Sequence, residues 1–356
     1  MRVAIDASSA ASGGGITYLR EMLPRFAARS DMRLGPVLVR PGVLSRIGLA
    51  NQADVSIVTA DHRGAALGRA WARAVRQGAD VVLVPTEVSL PRYAVPVVNM
   101  ARNPCLMPGT LREYGRVTRG RFALQRMLAR RTTRGASYTM AVSRFAGQIA
   151  ESTLGAPAST VRVVYHGGPP PRADATPSPS GRLLFVSNLY RYKNAHRLLE
   201  ALRLTPGKGL DIVGAPLEDA YHQELRRLSA RLGLDQRVSF RGHLSGGALE
   251  SAYRGASCMV WPSYAETFGH PLLEASSYGL PILAADVPVN REIVGERARY
   301  FDPFDVEAMA RCLATTWDRQ EPPGALPRQY SWDSCADQTV AVLAEAAGAR
   351  EKAAPS

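Results

Sequence analysis

The chain has 356 residues, 46% of them hydrophobic and 7% aromatic, and carries a formal net charge of +13. That length exceeds one ordinary hydrophobic core and predicts two domains of roughly 170 residues each. No apolar run reaches the ~18 residues of a membrane-crossing helix. The cysteines Cys105, Cys258, Cys312 and Cys335 are too scattered for a zinc cluster, so they read as free thiols in a reducing compartment.

From the amino terminus, RVAID (2–6) reads as a buried strand, because an acid directly follows the short apolar run and a signal peptide would not place one there. The loop ASSAASGGG leads into ITYLREMLPRF, whose apolar residues are spaced as in a helix. VLVR (37–40), VSIV (55–58), VVLV (81–84) and PVVNM (96–100) are further strands. The helices RGRFALQRMLARR and SRFAGQIAESTLG follow, and the strand VRVVYH (161–166) closes the first half. GGPPPRADATPSPSG (167–181) has a linker's composition.

A second cycle of strands and helices begins at RLLFVS (182–187) and runs through LDIVG, RVSFRG, SCMVW (257–261) and PILAA (281–285). Continuous apolar strands separated by helices predict parallel sheets covered on both faces. The expected architecture is therefore α/β, with two doubly wound domains facing across a cleft, and ligands at the carboxyl ends of the strands. The boundaries expected are 1–168 for the first domain, 169–181 for the linker and 182–330 for the second domain. A closing helix at 331–350 returns to the first domain, and 351–356 is a tail.

Charge is unevenly placed. Between residues 92 and 134 there are ten arginines and one acid, Glu113. A basic helix over 116–134 would attract phosphates or an anionic lipid surface, although charge runs also serve solubility. No recognised nucleic-acid-binding motif accompanies the arginines, so that function is not expected.

AETFGHPLLE (265–274) sets Glu266 and Glu274 on either side of a Phe-Gly-His-Pro turn. Proline favours the first position of a helix, so a helix is expected to open near His270-Pro271, with Glu274 in its first turn. The turn formed by Thr267, Phe268, Gly269 and His270 then sits at a helix amino terminus, a natural seat for an anion such as a diphosphate. Two acids flanking that seat suit a ligand with hydroxyls on both sides of its phosphates. An alternative is that Glu274 only complements the helix end and Glu266 is a solvated loop acid.

The stretch 264–305, YAETFGHPLLEASSYGLPILAADVPVNREIVGERARYFDPFD, resembles the retaining glycosyltransferases of family 4, which have the GT-B fold. Two glutamates separated by seven residues around Phe-Gly are that family's hallmark. FVSNLYRYKNAHRLLEAL (185–202), AVSRFAGQIAESTLGAPASTVRVVYHGG (141–168) and YSWDSCADQTVAVL (330–343) resemble it too.

The resemblance implies transfer of a sugar from a nucleoside diphosphate sugar to a hydroxyl acceptor, with retention, no metal and no cofactor. It implies a phosphate-binding lysine at Lys193, sugar-hydroxyl contacts at Glu266, ribose contacts at Glu274, and donor phosphates held by residues 267–270. The nucleoside would lie near Gly214, with its base against His243 and Leu244, and the glycine loop with Gly14 and Gly15 would lie near the donor phosphates and the acceptor.

Two departures from the family pattern stand out. The usual arginine six residues before the lysine is Ser187 here, with Arg191 as the nearest substitute. The usual first-domain histidine is absent from PVVNMARNP (96–104), which offers Arg102 or Asn103 instead. Glu266, Lys193 and Arg102 are the expected catalytic set. The acceptor would be lipid-linked or anionic, in cell-surface polysaccharide, lipopolysaccharide or glycolipid assembly. The protein would then be cytoplasmic, touching the inner face of the membrane through 116–134. The rival readings are a sugar-nucleotide epimerase on the same fold, for which no set of acid and base groups is evident, and a basic nucleic-acid-binding protein.

Overall fold

The computed structural model describes the chain apart from residues 11–12, 41, 44–46, 48–56, 60–70, 72–74, 77, 90, 173–180, 315–326 and 354–356. The chain divides into two units. The first comprises Met1–Met107, Arg116–Gly167 and Arg328–Ser356; the second comprises Pro108–Gly115 and Gly168–Pro327. Most of the linker expected at 169–181 falls outside the described residues.

Among the described residues of the first unit, seven strands form one parallel sheet in the order β3-β2-β1-β4-β5-β6-β7. They are β1 (Arg2–Asp6), β2 (Arg33–Val39), β3 (Ile57–Thr59), β4 (Val81–Val84), β5 (Val97–Ala101), β6 (Tyr138–Ala141) and β7 (Val161–Val163). The central strands are apolar along their whole length because both faces are covered: all four residues of β4 are buried. Helix α1 (Gly14–Ala27) follows β1, α2 (Arg116–Gly135) precedes β6, and the short α3 (Arg144–Ile149) follows it. β7 is half the expected length. Among the described strands it lies at the sheet edge, with β6 as its neighbour.

Among the described residues of the second unit, six parallel strands run in the order β10-β9-β8-β11-β12-β13. They are β8 (Arg182–Val186), β9 (Gly209–Val213), β10 (Val238–Gly242), β11 (Cys258–Trp261), β12 (Ile282–Ala285) and β13 (Ala298–Phe301). Its helices are α4 (Ala195–Arg203), α5 (Asp219–Arg231), α6 (Gly246–Gly255), α7 (His270–Ser277), α8 (Pro288–Val294) and α9 (Val306–Ala314). The core beneath includes Phe185, Leu198, Leu202, Ile212, Val260 and Leu283, all fully buried. The closing helix α10 (Trp332–Ala353) belongs to the first unit and packs on α1, β4, β5 and β6.

One stretch departs from the expected boundaries. Pro108–Gly115 packs with the second unit, although the chain on both sides of it lies in the first. Glu113 accepts from Arg197 at 2.7 Å, Arg112 lies 3.6 Å over the Phe304 ring, and the Tyr114 hydroxyl accepts the Tyr192 N–H at 3.4 Å. These are long-range polar and cation–π contacts, which leave no periodicity in sequence.

In both sheets the strand order reverses once, between β1 and β4 in the first and between β8 and β11 in the second. At such a switch point the flanking loops run to opposite faces and leave a crevice at the carboxyl ends of the strands.

Candidate functional site

The second unit's switch point is where Lys193 and Glu266 meet. Lys193 ends a single 3-10 turn after β8, and Glu266 lies between β11 and α7. The Lys193 Nζ is 2.5 Å from the Glu266 Oε1, and the two side chains are only 11% and 6% exposed. The ammonium also stands 4.7 Å from the centroid of the Trp261 ring and 5.1 Å from that of Tyr192. A buried cation is thus balanced by one carboxylate and two π faces.

Asn194 fixes this approach. It is the only described non-glycine residue at positive φ, 67°, and it is fully buried. Its Nδ2 donates to the carbonyls of Pro262 at 3.0 Å and Pro303 at 2.7 Å. Ser263 and Tyr264 both donate to the Tyr192 carbonyl, at 3.3 and 3.2 Å. The loop after β8 is in this way tied to the loop after β11.

The turn 267–270 follows directly. Thr267, Phe268 and Gly269 are buried and His270 is half-buried. Gly269 sits at φ 87° as the cap of α7, and a Cβ there would lie 3.1 Å from Leu272 Cδ1. The left-handed turn and the crowding both call for glycine. The proline is in the helix's first turn, as expected. Beneath the turn, the buried Trp261 Nε1 has no hydrogen-bond partner among the described residues and lies 3.6 Å from where a Gly269 Cβ would be.

The placement of Glu274 needs correction. α7 starts at His270 and has no acid in its first turn, so Glu274 is one turn further in. Its Oε2 accepts from the Tyr253 hydroxyl at 2.5 Å. Burial, with the neighbouring Glu274 adding to it, pushes the Tyr253 hydroxyl well above its usual range, so it stays a donor.

Arg191 is not brought to Lys193 and Glu266. Its guanidinium pairs with Glu224 on α5 and stands 4.8 Å from the Tyr221 ring centroid, while its backbone N–H donates to Glu218. Burial acts to lower that guanidinium's value, but Glu224, Tyr221 and Glu113 together hold it above the ordinary one.

At the other strand ends, Gly214 donates to the Gly242 carbonyl at 2.7 Å. A Cβ on Gly214 would fall 1.8 Å from the Ser187 carbonyl oxygen, so only glycine lets β8 and β9 close up here. Gly214 and Gly242 help line a cavity of about 90 Å³ with Leu189, Pro216, His222 and Phe240. His243 is exposed and Leu244 half-buried just beyond β10.

The first unit has its own cluster at its switch point. α1 begins at Gly14, and a Cβ on Gly15 would lie 3.3 Å from Arg102 Nη1. Arg102, just past β5, is half-buried, and its backbone N–H donates to Glu87 Oε1 at 2.5 Å. Burial holds the Arg102 guanidinium below its ordinary value and pushes the Glu87 carboxyl up, and each group's charge opposes the other's shift. Asn103, the alternative to Arg102, is occupied: its Oδ1 accepts the Cys105 N–H at 3.0 Å and caps a short 3-10 turn. Ser12 of the glycine loop lies outside the described residues.

Sequence reasoning passed over Glu87, Asn194, Tyr192 and Trp261. Of these, only Asn194 left a signal: an asparagine between a lysine and a helix start, where a left-handed residue is common. Among the described residues no three His, Cys, Asp or Glu side chains group as a metal site would need. No described helix is long and apolar enough to cross a membrane.

Comparison with known proteins points one way. Residues 172–325 match the family model Glycosyl transferases group 1. O-antigen chain mannosyltransferase B of Escherichia coli is 30% identical over 175 residues, covering 45% of this chain and 45% of the relative. A D-inositol 3-phosphate glycosyltransferase of Mycolicibacterium smegmatis is 32% identical over 173 residues, 46% of this chain and 39% of the relative. The chain thus spans less than half the length of these curated relatives.

Among solved structures, Anabaena HepE in complex with UDP-glucose superposes with a TM-score of 0.71 at 18% identity, over 99% of this chain and all of that one. WaaG, a glycosyltransferase involved in lipopolysaccharide biosynthesis, gives 0.68 at 17%, over 98% and 99%. At these identities the likeness shows the fold, the two-sheet GT-B architecture.

Proposed function

Because residues 172–325 match the family model Glycosyl transferases group 1, we propose that the chain moves a sugar from a nucleoside diphosphate sugar to a hydroxyl acceptor, with retention and without a metal ion or other cofactor. The observation that carries this reading is the buried Lys193–Glu266 pair beside the turn that opens α7. In the free protein each charge balances the other. An arriving diphosphate takes over the lysine, and Glu266 is released to accept from sugar hydroxyls. A preformed, desolvated cation that changes partners in this way stabilises charge on the leaving group with little reorganisation.

In the reaction the bond from the anomeric carbon to the diphosphate oxygen breaks, and a bond to the acceptor oxygen forms on the same face. The acceptor's proton passes to the leaving phosphate. Lys193 and the amino end of α7 take up the growing negative charge, with Thr267, Phe268, Gly269 and His270 framing the phosphates. Glu274, oriented by Tyr253, holds the ribose. Gly214 gives the nucleoside room, with its base near His243 and Leu244. Arg102, seated against Gly15 and Glu87, faces the sugar or the acceptor in place of a histidine, and Gly14 and Gly15 open α1 beside it. Arg191 contributes indirectly, by holding the loop that carries Lys193 against α5.

The likeness to an O-antigen mannosyltransferase supports an acceptor in cell-surface polysaccharide or glycolipid assembly, carried on a lipid or bearing negative charge. The protein would then work on the cytoplasmic side, at the inner face of the membrane, with the arginine-rich helix 116–134 as its contact.

The test is a thermal-shift series with UDP, GDP, ADP and dTDP. A ligand that binds only the native state, at about 100 times its Kd, adds about 2.7 kcal/mol of stability. One nucleotide should raise the melting temperature, and Lys193→Ala should abolish the rise. If none of the four moves the wild-type curve, the donor site is wrongly assigned.

A further inference from the structure

Between residues 92 and 134 Glu113 is the one acid among ten arginines, and it is not a solvated one. Its Oε1 accepts from Arg197 Nη2 at 2.7 Å, and the two side chains are only 19% and 22% exposed. The other arm of the Arg197 guanidinium is in use as well: Nη1 donates to Asn194 Oδ1 at 2.9 Å. A planar guanidinium that reaches two acceptors through separate nitrogens fixes the direction of both. With Oδ1 turned to Arg197, the Asn194 amide presents Nδ2 to the Pro262 and Pro303 carbonyls. Glu113 thus orients, through Arg197, the residue directly after Lys193.

The same stretch of chain reaches the other side of Lys193. The Tyr114 hydroxyl accepts the Tyr192 N–H at 3.4 Å. The carbonyl of the buried Thr110 accepts from the Tyr264 hydroxyl at 3.3 Å. Arg112 and Arg197 both stand over the Phe304 ring, at 3.6 and 5.1 Å from its centroid. A segment held down only for stability could end on any surface of the second unit. This one ends on Tyr192 and Asn194, the chain neighbours of Lys193, and on Tyr264, whose own N–H donates to the Tyr192 carbonyl.

We propose that Pro108–Gly115 is a positioning strap for Lys193, with Glu113 as its anchor: through Arg197 and Asn194 it holds the ammonium at Glu266, where a diphosphate can take it over. This rests on the donor-site reading given above and adds to it Glu113, a residue outside the family-matched stretch 172–325. The strap is a loop that leaves the first unit after β5 and returns to it at α2.

The test reads the lysine itself. The chain contains three lysines, Lys193, Lys208 and Lys352. Labelling lysine with carbon-13 at Cε therefore gives three resonances, which K193A, K208A and K352A assign. In the wild type the Lys193 resonance should be displaced from the ordinary lysine position, because its Nζ stands 4.7 and 5.1 Å from the Trp261 and Tyr192 ring centroids. In Glu113→Gln it should move back toward that ordinary position. Arg197→Lys, which keeps the charge but loses the two-armed reach, should do the same. In both variants, whichever of UDP, GDP, ADP and dTDP stabilises the wild type should bind about tenfold more weakly, the contribution of one hydrogen bond to a charged group.

If the Lys193 resonance stays in place in both variants, or moves with no loss of nucleotide affinity, the strap does not position the lysine. The inference is then overturned, whatever the melting temperature does, and the donor-site reading survives. If none of the four nucleotides stabilises the wild type, the donor-site reading fails and takes the inference with it; a moved resonance then reports a structural tie alone.

Discussion

Replacing Lys193 by Met tests the central pair directly. The wild-type charges are 2.5 Å apart with side chains 11% and 6% exposed, so the surviving Glu266 carboxylate would be buried without its partner. Breaking a buried ion pair from one side costs about 3–5 kcal/mol, against about 0–1 kcal/mol for an exposed one. Removing both charges in K193M/E266Q should bring stability back to within about 1 kcal/mol of wild type, because the desolvation of both ions is relieved at once. Urea unfolding of wild type, K193M, E266Q and the double variant, without nucleotide, closes a cycle with an expected coupling of at least about 5 kcal/mol, because each single variant loses about 3–5 kcal/mol and the double variant about 1. A K193M loss below about 1 kcal/mol would mean that solvent screens the pair. A charge exchange in a dry site would then no longer explain how the lysine is kept ready.

Burial, assisted by Arg197, holds the His196 imidazole down to about 4 from its usual 6.5, with Glu113 opposing. The unfolded chain therefore binds the proton first, so stability should fall as pH drops from about 6.5 toward 4, and His196→Gln should flatten that slope in melting curves. The opposite sign applies at Glu87, whose carboxyl is raised: its stabilising contribution is present in acid and is lost as pH rises past the ordinary carboxylate range, so Glu87→Gln should lose less stability than wild type between weak acid and neutrality. Asn194→Gly keeps the left-handed turn but drops both carbonyl contacts, and should cost about 1–3 kcal/mol in urea; Asn194→Ala should cost more because it adds strain at φ 67°. Gly269→Ala, at φ 87° and 3.1 Å from Leu272, should lose about 1–3 kcal/mol and most of the nucleotide-induced thermal shift.

The alternation of apolar strands and helices was legible because both sheets are covered on both faces, which leaves runs such as VVLV with no polar residue. The turn at 267–270 was legible because His270-Pro271 marks a helix start. Glu274 was misplaced by one turn because its role as a helix-end acid was inferred from sequence spacing, whereas its partner, Tyr253, lies on another helix. Arg191 looked like a substitute for the missing arginine because proximity in sequence does not reveal direction, and Glu224 pulls it toward α5. Glu87 and Trp261 left no mark, since a buried acid held by a backbone N–H and an indole under a turn acquire meaning only once the loops of their own sheets are in place.

The closing helix α10 covers β4, β5 and β6 of a sheet whose strands all lie before residue 168. On the ribosome that sheet emerges first and stays without its last cover until the whole of the second unit has been made. The amino-terminal half of this protein therefore completes its folding after the carboxyl-terminal half, and a nascent chain stalled anywhere before Trp332 would leave an apolar sheet face for chaperones to hold.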